Sequence, residues 1–209
     1  MVTTKVKICG IKDRDTIDLC HSLNVDFIGL NFSKASPRSI HPSDVPNLLA
    51  NRTAEGFPKV VFLFFQNEVL EIEEIVTKFK PDLIQLIAGD PVDITSVWDK
   101  YKAEKTLFPA FRLQGAVGDE SLLCPELPLV ILDSYKRELG GGTGHTFPWE
   151  YVKKVKRPYL LAGGITPDNV EEAVRYLHPF GIDVASGVET NGQKDHHKIR
   201  ELIKNARRD

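Results

Sequence analysis

The feature that most constrains this chain is a repeat, in which short apolar, β-branched runs keep alternating with segments of helical periodicity. The runs are VKIC (6–9), DFIGLNF (26–32), KVVFLFF (59–65), DLIQLI (82–87), TLFPAFRL (106–113), LVILD (129–133), YLLAG (159–163) and IDVAS (182–186). Several are almost continuously apolar, as parallel strands covered on both faces are. Amphipathic stretches lie between them at 13–23, 43–51, 67–79, 91–102, 149–155, 168–177 and 195–207. Helix starts are signalled at Asp13, Ser43, Asn67 and the proline-led turn Pro167-Asp168. The stretch 114–126 is interrupted by Gly115, Gly118 and Pro125. Eight strands spaced by helices are what repeated βαβ units produce. On this pattern alone a closed (β/α)8 barrel and an open doubly wound sheet both fit, and 209 residues is at the short end for the barrel. No low-complexity segment or linker divides the chain, so one domain over 1–209 is expected.

Charge and cysteine usage narrow the function classes. The formal charge is −2, with basic and acidic residues intermixed, which argues against nucleic acid or a membrane surface as partner, since either needs a concentrated basic field. Cys9, Cys20 and Cys124 are odd in number and show no close-spaced metal pattern. A reducing compartment, the cytoplasm, is expected, with no metal or cofactor. The opening MVTTKVKICG lacks a long apolar segment, so neither secretion nor an anchor is expected.

Three places combine a strand end with a polar or glycine-rich continuation, which is where parallel α/β folds meet their ligands. Cys9 ends the first run and is followed by Gly10; a thiol there is either a small buried hydrophobe or, beside cationic groups or helix dipoles, a reactive thiolate. Cys20, beside Ile17 and Leu23, and Cys124, in a Pro-rich loop, read as structural. Asp133 ends a buried run, a costly position for a carboxylate unless it is paired or working. The glycines at 140–142 and 144 that follow it make either a lid or an ordinary connection. Gly163-Gly164 and Ser186-Gly187-Val188 bring backbone amides to the ends of runs seven and eight, the usual phosphate position in barrels. Arg112 is near a strand end with no role decided, and His41, His196 and His197 read as solvated. Asp183 either supports the phosphate loop by hydrogen bonding or is plainly structural.

Assembled in order, KICGIK, IGLNFSKASPRSI, IQL, ILDSYKRELGGGTGHTFPW, LLAGGITPDNV and DVASGVE resemble the phosphoribosylanthranilate isomerases of tryptophan biosynthesis along nearly the whole chain. The resemblance implies a (β/α)8 TIM barrel that performs an Amadori rearrangement, an aminated aldose becoming an aminoketose. It implies Cys9 as general base, Asp133 as general acid, and Arg38 on the anthranilate carboxylate. It also implies Gly163, Gly164, Ser186 and Gly187 on the 5-phosphate, and Thr143 and Gly144 in a loop that closes on substrate. A monomer is expected rather than a homodimer. The chain departs from the family pattern in reading QLIAGD where QLHG is usual, and His145 and Pro148 where lysine and aspartate are frequent. Asn31 and Ser33 replace residues that are usually apolar or aromatic. These departures motivate an alternative, a phosphosugar-binding barrel with lost or changed activity. The related histidine-pathway isomerase, which uses two aspartates, is disfavoured by Cys9 and the short chain.

Overall fold

The computed structural model describes residues 3–118, 126–133 and 149–208. Eight strands succeed one another around a closed barrel: β1 (Lys5–Cys9), β2 (Phe27–Asn31), β3 (Lys59–Phe64), β4 (Leu83–Ile87), β5 (Leu107–Arg112), β6 (Val130–Asp133), β7 (Tyr159–Ala162) and β8 (Gly181–Val184). Closure excludes the open sheet. The helices are α1 (Arg14–Ser22), α2 (Val45–Leu48), α3 (Val69–Phe79), α4 (Thr95–Ala103), α5 (Val170–Leu177) and α6 (His196–Ala206). Among the described residues no helix is long and apolar enough to cross a membrane. By packing, the chain forms two compact units, Lys7–Pro109 and Met1–Val6 with Ala110–Asp209.

Within the first unit, parallel pairing sets Cys9 against Gly29, Gly29 against Val61 and Val61 against Leu83. Because side chains alternate along a strand, this register sorts residues onto two faces. Ile8, Ile28, Leu30, Val60, Phe62, Phe64, Ile84 and Leu86 share one wholly apolar, buried face. Phe32 adds to it, with ring centroids 4.8 Å from Phe62 and 5.3 Å from Phe64. The buried stripes of α1 (Ile17, Cys20), α3 (Ile72, Ile75) and α4 (Val97, Tyr101) are its complement. The opposite face holds the buried polar groups Lys7, Asn31 and Gln85 together with Cys9.

The second unit pairs Arg112 with Asp133, Asp133 with Ala162 and Ala162 with Asp183. Its α6 is tied to the turn that precedes α5 by Asn205 Nδ2 donating to Pro167 O at 2.9 Å. Beyond β8 lies a hairpin that the strand-and-helix pattern does not anticipate, β9 (Glu189–Thr190) with β10 (Gln193–Lys194). Asn191 and Gly192 connect them with φ 53° and 75°, the type I′ turn an Asn-Gly pair favours.

Several helix expectations need correction. Asp13 caps α1 as expected, accepting from Thr16 N at 2.7 Å. The segment 43–51 shortens to a 3₁₀ turn, Pro42–Asp44, and α2, entered at His41 rather than Ser43. Asn67 does not cap α3; its Oδ1 accepts from Phe65 N at 3.1 Å and its Nδ2 donates to Phe32 O at 3.1 Å, bracing two loops. The stretch 149–155 yields only a 3₁₀ turn, Trp149–Tyr151. Its backbone is claimed elsewhere, by Val117 N donating to Tyr151 O at 2.8 Å and by a bridge between Gly118 and Lys154. Residues 114–118 form no helix, and the rest of that stretch, with Cys124, lies outside the described residues.

Candidate active site

Cys9 ends β1 and is 6% exposed. Its sulfur rests on Gly29 of the neighbouring strand: a Cβ built on Gly29 would stand 2.8 Å from Cys9 Sγ and 3.1 Å from Cys9 Cα. Gly29 O also receives the next two amides, Gly10 N at 2.9 Å and Ile11 N at 3.1 Å. Gly10 turns the chain with φ 72°, and a Cβ there would meet Arg38 Cδ at 2.5 Å and Arg38 Cβ at 3.0 Å. The missing side chains at 10 and 29 thus let the stem of Arg38 lie against Gly10, just past β1, and the thiol of Cys9 against Gly29 in β2. Gly29→Ala is expected to push the thiol off its seat, lowering kcat about tenfold and stability by about 1–3 kcal/mol. Adding Cys9→Ala to that variant should recover most of the stability, and a thermal-melt double-mutant cycle measures it.

Asp133 ends β6 half-buried. Its carbonyl accepts from Leu113 N at 2.8 Å. Its register neighbours are Arg112 on β5 and Ala162 on β7, beyond which Asp183 occupies the matching position on β8. Arg112 therefore leaves the sheet on the same face as Asp133, one strand away, a placement the sequence left open. Thr143, Gly144, the glycines at 140–142, His145 and Pro148 lie outside the described residues.

The loops after β7 and β8 meet. Gly163 and Gly164 turn with φ 85° and 69°. Asn169 steadies that turn, donating to Gly164 O at 2.8 Å and accepting from Thr166 N at 2.9 Å. Ser186–Val188 is a single 3₁₀ turn. A Cβ on Gly187 would lie only 1.8 Å from Ile165 O, so this approach is open to glycine alone. Ser186 is exposed, while Gly163 and Gly187 are half-buried. The four positions lie in these two touching loops.

Two buried lysines have no counterpart among the residues that the sequence singles out. Lys7 is completely buried on the same strand face as Cys9, two residues earlier; it is hidden inside an apolar run. Lys194 Nζ donates to Ala185 O at 2.8 Å and to Glu189 Oε1 at 2.7 Å, with side chains only 3% and 7% exposed. This pair fastens the hairpin beneath the Ser186 turn. Removing one partner of a buried pair costs roughly 3–5 kcal/mol, because the other charge is stranded. Lys198 Nζ adds a bond to Glu189 O at 2.8 Å. A lysine in a polar helix entry gives no hint of this along the chain. Of the departures from the family pattern, Ile87 is buried at the end of β4, and Asn31 and Ser33 are buried at the end of β2.

The chain is similar to known proteins along nearly its whole length. The family model for N-(5′-phosphoribosyl)anthranilate (PRA) isomerase matches residues 6–205. The N-(5′-phosphoribosyl)anthranilate isomerase of Leptospira interrogans serovar copenhageni is 42% identical over 206 residues, covering 98% of this chain and 95% of that protein. The crystal structure of phosphoribosyl anthranilate isomerase from Thermus thermophilus superposes with a TM-score of 0.79 at 27% identity, over 97% of this chain and 98% of the other. A crystal structure of phosphoribosyl anthranilate isomerase in complex with reduced 1-(o-carboxyphenylamino)-1-deoxyribulose 5-phosphate superposes with a TM-score of 0.74 at 28% identity, over 98% of both chains.

Proposed function

Since the chain belongs to the N-(5′-phosphoribosyl)anthranilate isomerase family, we propose that it converts N-(5-phosphoribosyl)anthranilate to 1-(2-carboxyphenylamino)-1-deoxyribulose 5-phosphate by acid–base catalysis. The observation that carries this reading is the gathering of Cys9, Gly10, Gly29 and Arg38 at the end of β1. The stem of Arg38 lies against Gly10, the residue that follows the Cys9 thiol in the chain, which supports a base and a carboxylate anchor for one substrate. Asp133, at the end of β6, is the acid.

The chemistry follows from these roles. Asp133 gives its proton to the furanose ring oxygen as the C1′–O bond breaks, and the nitrogen lone pair forms the C1′=N iminium. The Cys9 thiolate takes the proton from C2′, and the released pair makes the C1′=C2′ bond of an enolamine while neutralising the nitrogen. Gain of a proton at C1′ and loss of the enol hydroxyl proton leave the ketone at C2′. Atoms balance without an external oxidant or reductant. Each positioned group contributes about 10²–10⁴-fold.

Arg38 binds the anthranilate carboxylate through a charge-assisted hydrogen bond. The amides at Gly163, Gly164, Ser186 and Gly187 take the 5-phosphate, whose binding energy orients the reacting carbons. Thr143 and Gly144, substrate-binding positions by the family resemblance, lie outside the described residues. The chain is proposed to act as a monomer in the cytoplasm. In support, the exposed large apolar side chains among the described residues are few: Leu70 on α3, and Tyr176 and Phe180 at and just past the end of α5.

The test is an anthranilate-fluorescence assay on the purified protein with the phosphoribosyl substrate. A fluorescence change dependent on enzyme and substrate, with the aminoketose recovered, is expected. Ligand binding without turnover would instead favour a barrel that holds the phosphosugar and no longer rearranges it.

A further inference from the structure

The segment 33–38 leaves the end of β2 and carries Arg38 back toward Gly10, and one side chain organises the excursion. Asn31, the last residue of β2, is 7% exposed. Its Oδ1 accepts from Ser33 N at 2.8 Å, and its Nδ2 donates to Ser36 Oγ at 3.1 Å. Ser36 Oγ in turn accepts from Arg38 N at 3.2 Å. The backbone of Asn31 closes the far end, accepting from Ile40 N at 2.9 Å and bridging to Ser39. A single amide, with one donor and one acceptor end, therefore sets where the loop departs, where its middle lies and, through Ser36, where the main chain of Arg38 sits. An apolar side chain at 31 offers neither end.

We propose that Asn31 is a positioning residue that acts through Ser36 on Arg38 and so sets selectivity for a substrate bearing an aromatic carboxylate. This rests on the reading of Arg38 as the carboxylate anchor. The guanidinium sits at the end of a long side chain, so the place it reaches depends on where its backbone is held. Preorganisation of that backbone is realised as affinity for the carboxylate. The acid–base step involves other residues, so it should be little altered.

The experiment compares wild type, Asn31→Val, Ser36→Ala, Ser36→Thr, Arg38→Met and the Asn31→Val/Arg38→Met pair on two substrates, phosphoribosylanthranilate and its aniline counterpart, which lacks the carboxylate. Asn31→Val and Ser36→Ala should each raise KM for the carboxylated substrate about tenfold, with kcat within about threefold and the aniline KM unmoved. Ser36→Thr, which keeps the hydroxyl, should restore wild-type KM. In the Arg38→Met background, Asn31→Val should add nothing. Equal effects on both substrates, no effect on either, or additivity with Arg38→Met would overturn the proposal. If Asn31→Val does not fold, Ser36→Ala, on a half-exposed loop residue, decides the matter on the same criteria. Should wild type rearrange neither substrate, the isomerase reading falls. Calorimetric affinities of Asn31→Val and wild type for the reduced product, with and without its carboxylate, then decide the positioning claim separately, and loss of the carboxylate's contribution in Asn31→Val is the supporting result.

Discussion

Cys9→Ala is expected to lower kcat on phosphoribosylanthranilate by about 10²–10⁴-fold, the range a positioned acid or base supplies. The substitution removes one sulfur atom from a site whose other contacts remain. Gly29 still faces position 9 across the β1–β2 pair, and the amides of Gly10 and Ile11 still bond Gly29 O. Stability should therefore fall by no more than about 1 kcal/mol, as for small core truncations. A melting temperature near that of wild type, with turnover nearly abolished in the fluorescence assay, separates chemistry from folding. Unchanged kcat would remove Cys9 from the mechanism. Asp133→Asn offers the parallel case, and on the proposed mechanism the double variant should be far less damaged than the product of the two single losses.

Gly187→Ala is the second large effect. The added methyl would fall 1.8 Å from Ile165 O, and its obstacle is backbone rather than the pliant end of a side chain. One of the two loops must then retreat by an ångström or more. Asn169 holds the first through Gly164 O and Thr166 N. The buried Lys194–Glu189 pair and the bond to Ala185 O hold the second. Displacement of this size in a substrate-orienting element costs about 100-fold in rate. Expressed as kcat/KM, a loss of that order is expected for the phosphorylated substrate. An inhibitor lacking the phosphate should bind wild type and variant alike. A variant that lost affinity for both inhibitors equally would show that these loops do not hold the phosphate.

The two predictions differ in how visible their grounds are before folding. A thiol closing an apolar run and followed by glycine can be recognised in sequence, since strand alternation and the turn after it are local. That Gly29 is the surface on which the thiol rests is a matter of register between strands twenty residues apart. Likewise the two glycines at 163–164 and the SGV at 186–188 stand out along the chain, whereas the contact of Gly187 with Ile165 O belongs to the packed loops. Where local signals mislead, tertiary bonds have claimed the backbone first. The stretch at 149–155 loses its helix to bonds from Val117 and Gly118, and Asn67 serves as a brace instead of a cap. The Asn-Gly turn at 191–192 is the opposite case, a hairpin whose local signal is present in the chain.

By itself, then, the order of residues determined the alternation of strands and helices, the family to which the chain belongs, and which strand ends are proposed to carry chemistry. All three depend on interactions within a few residues or on motifs read in order. Only the tertiary structure decided that Arg38 lies over Gly10, that Asn31 bonds the loop leading to Arg38, and that the side chains of Lys7 and Lys194 are enclosed. Those outcomes depend on which distant segments come within a few ångströms of each other, and side-chain size, register and burial take their meaning only after that has happened.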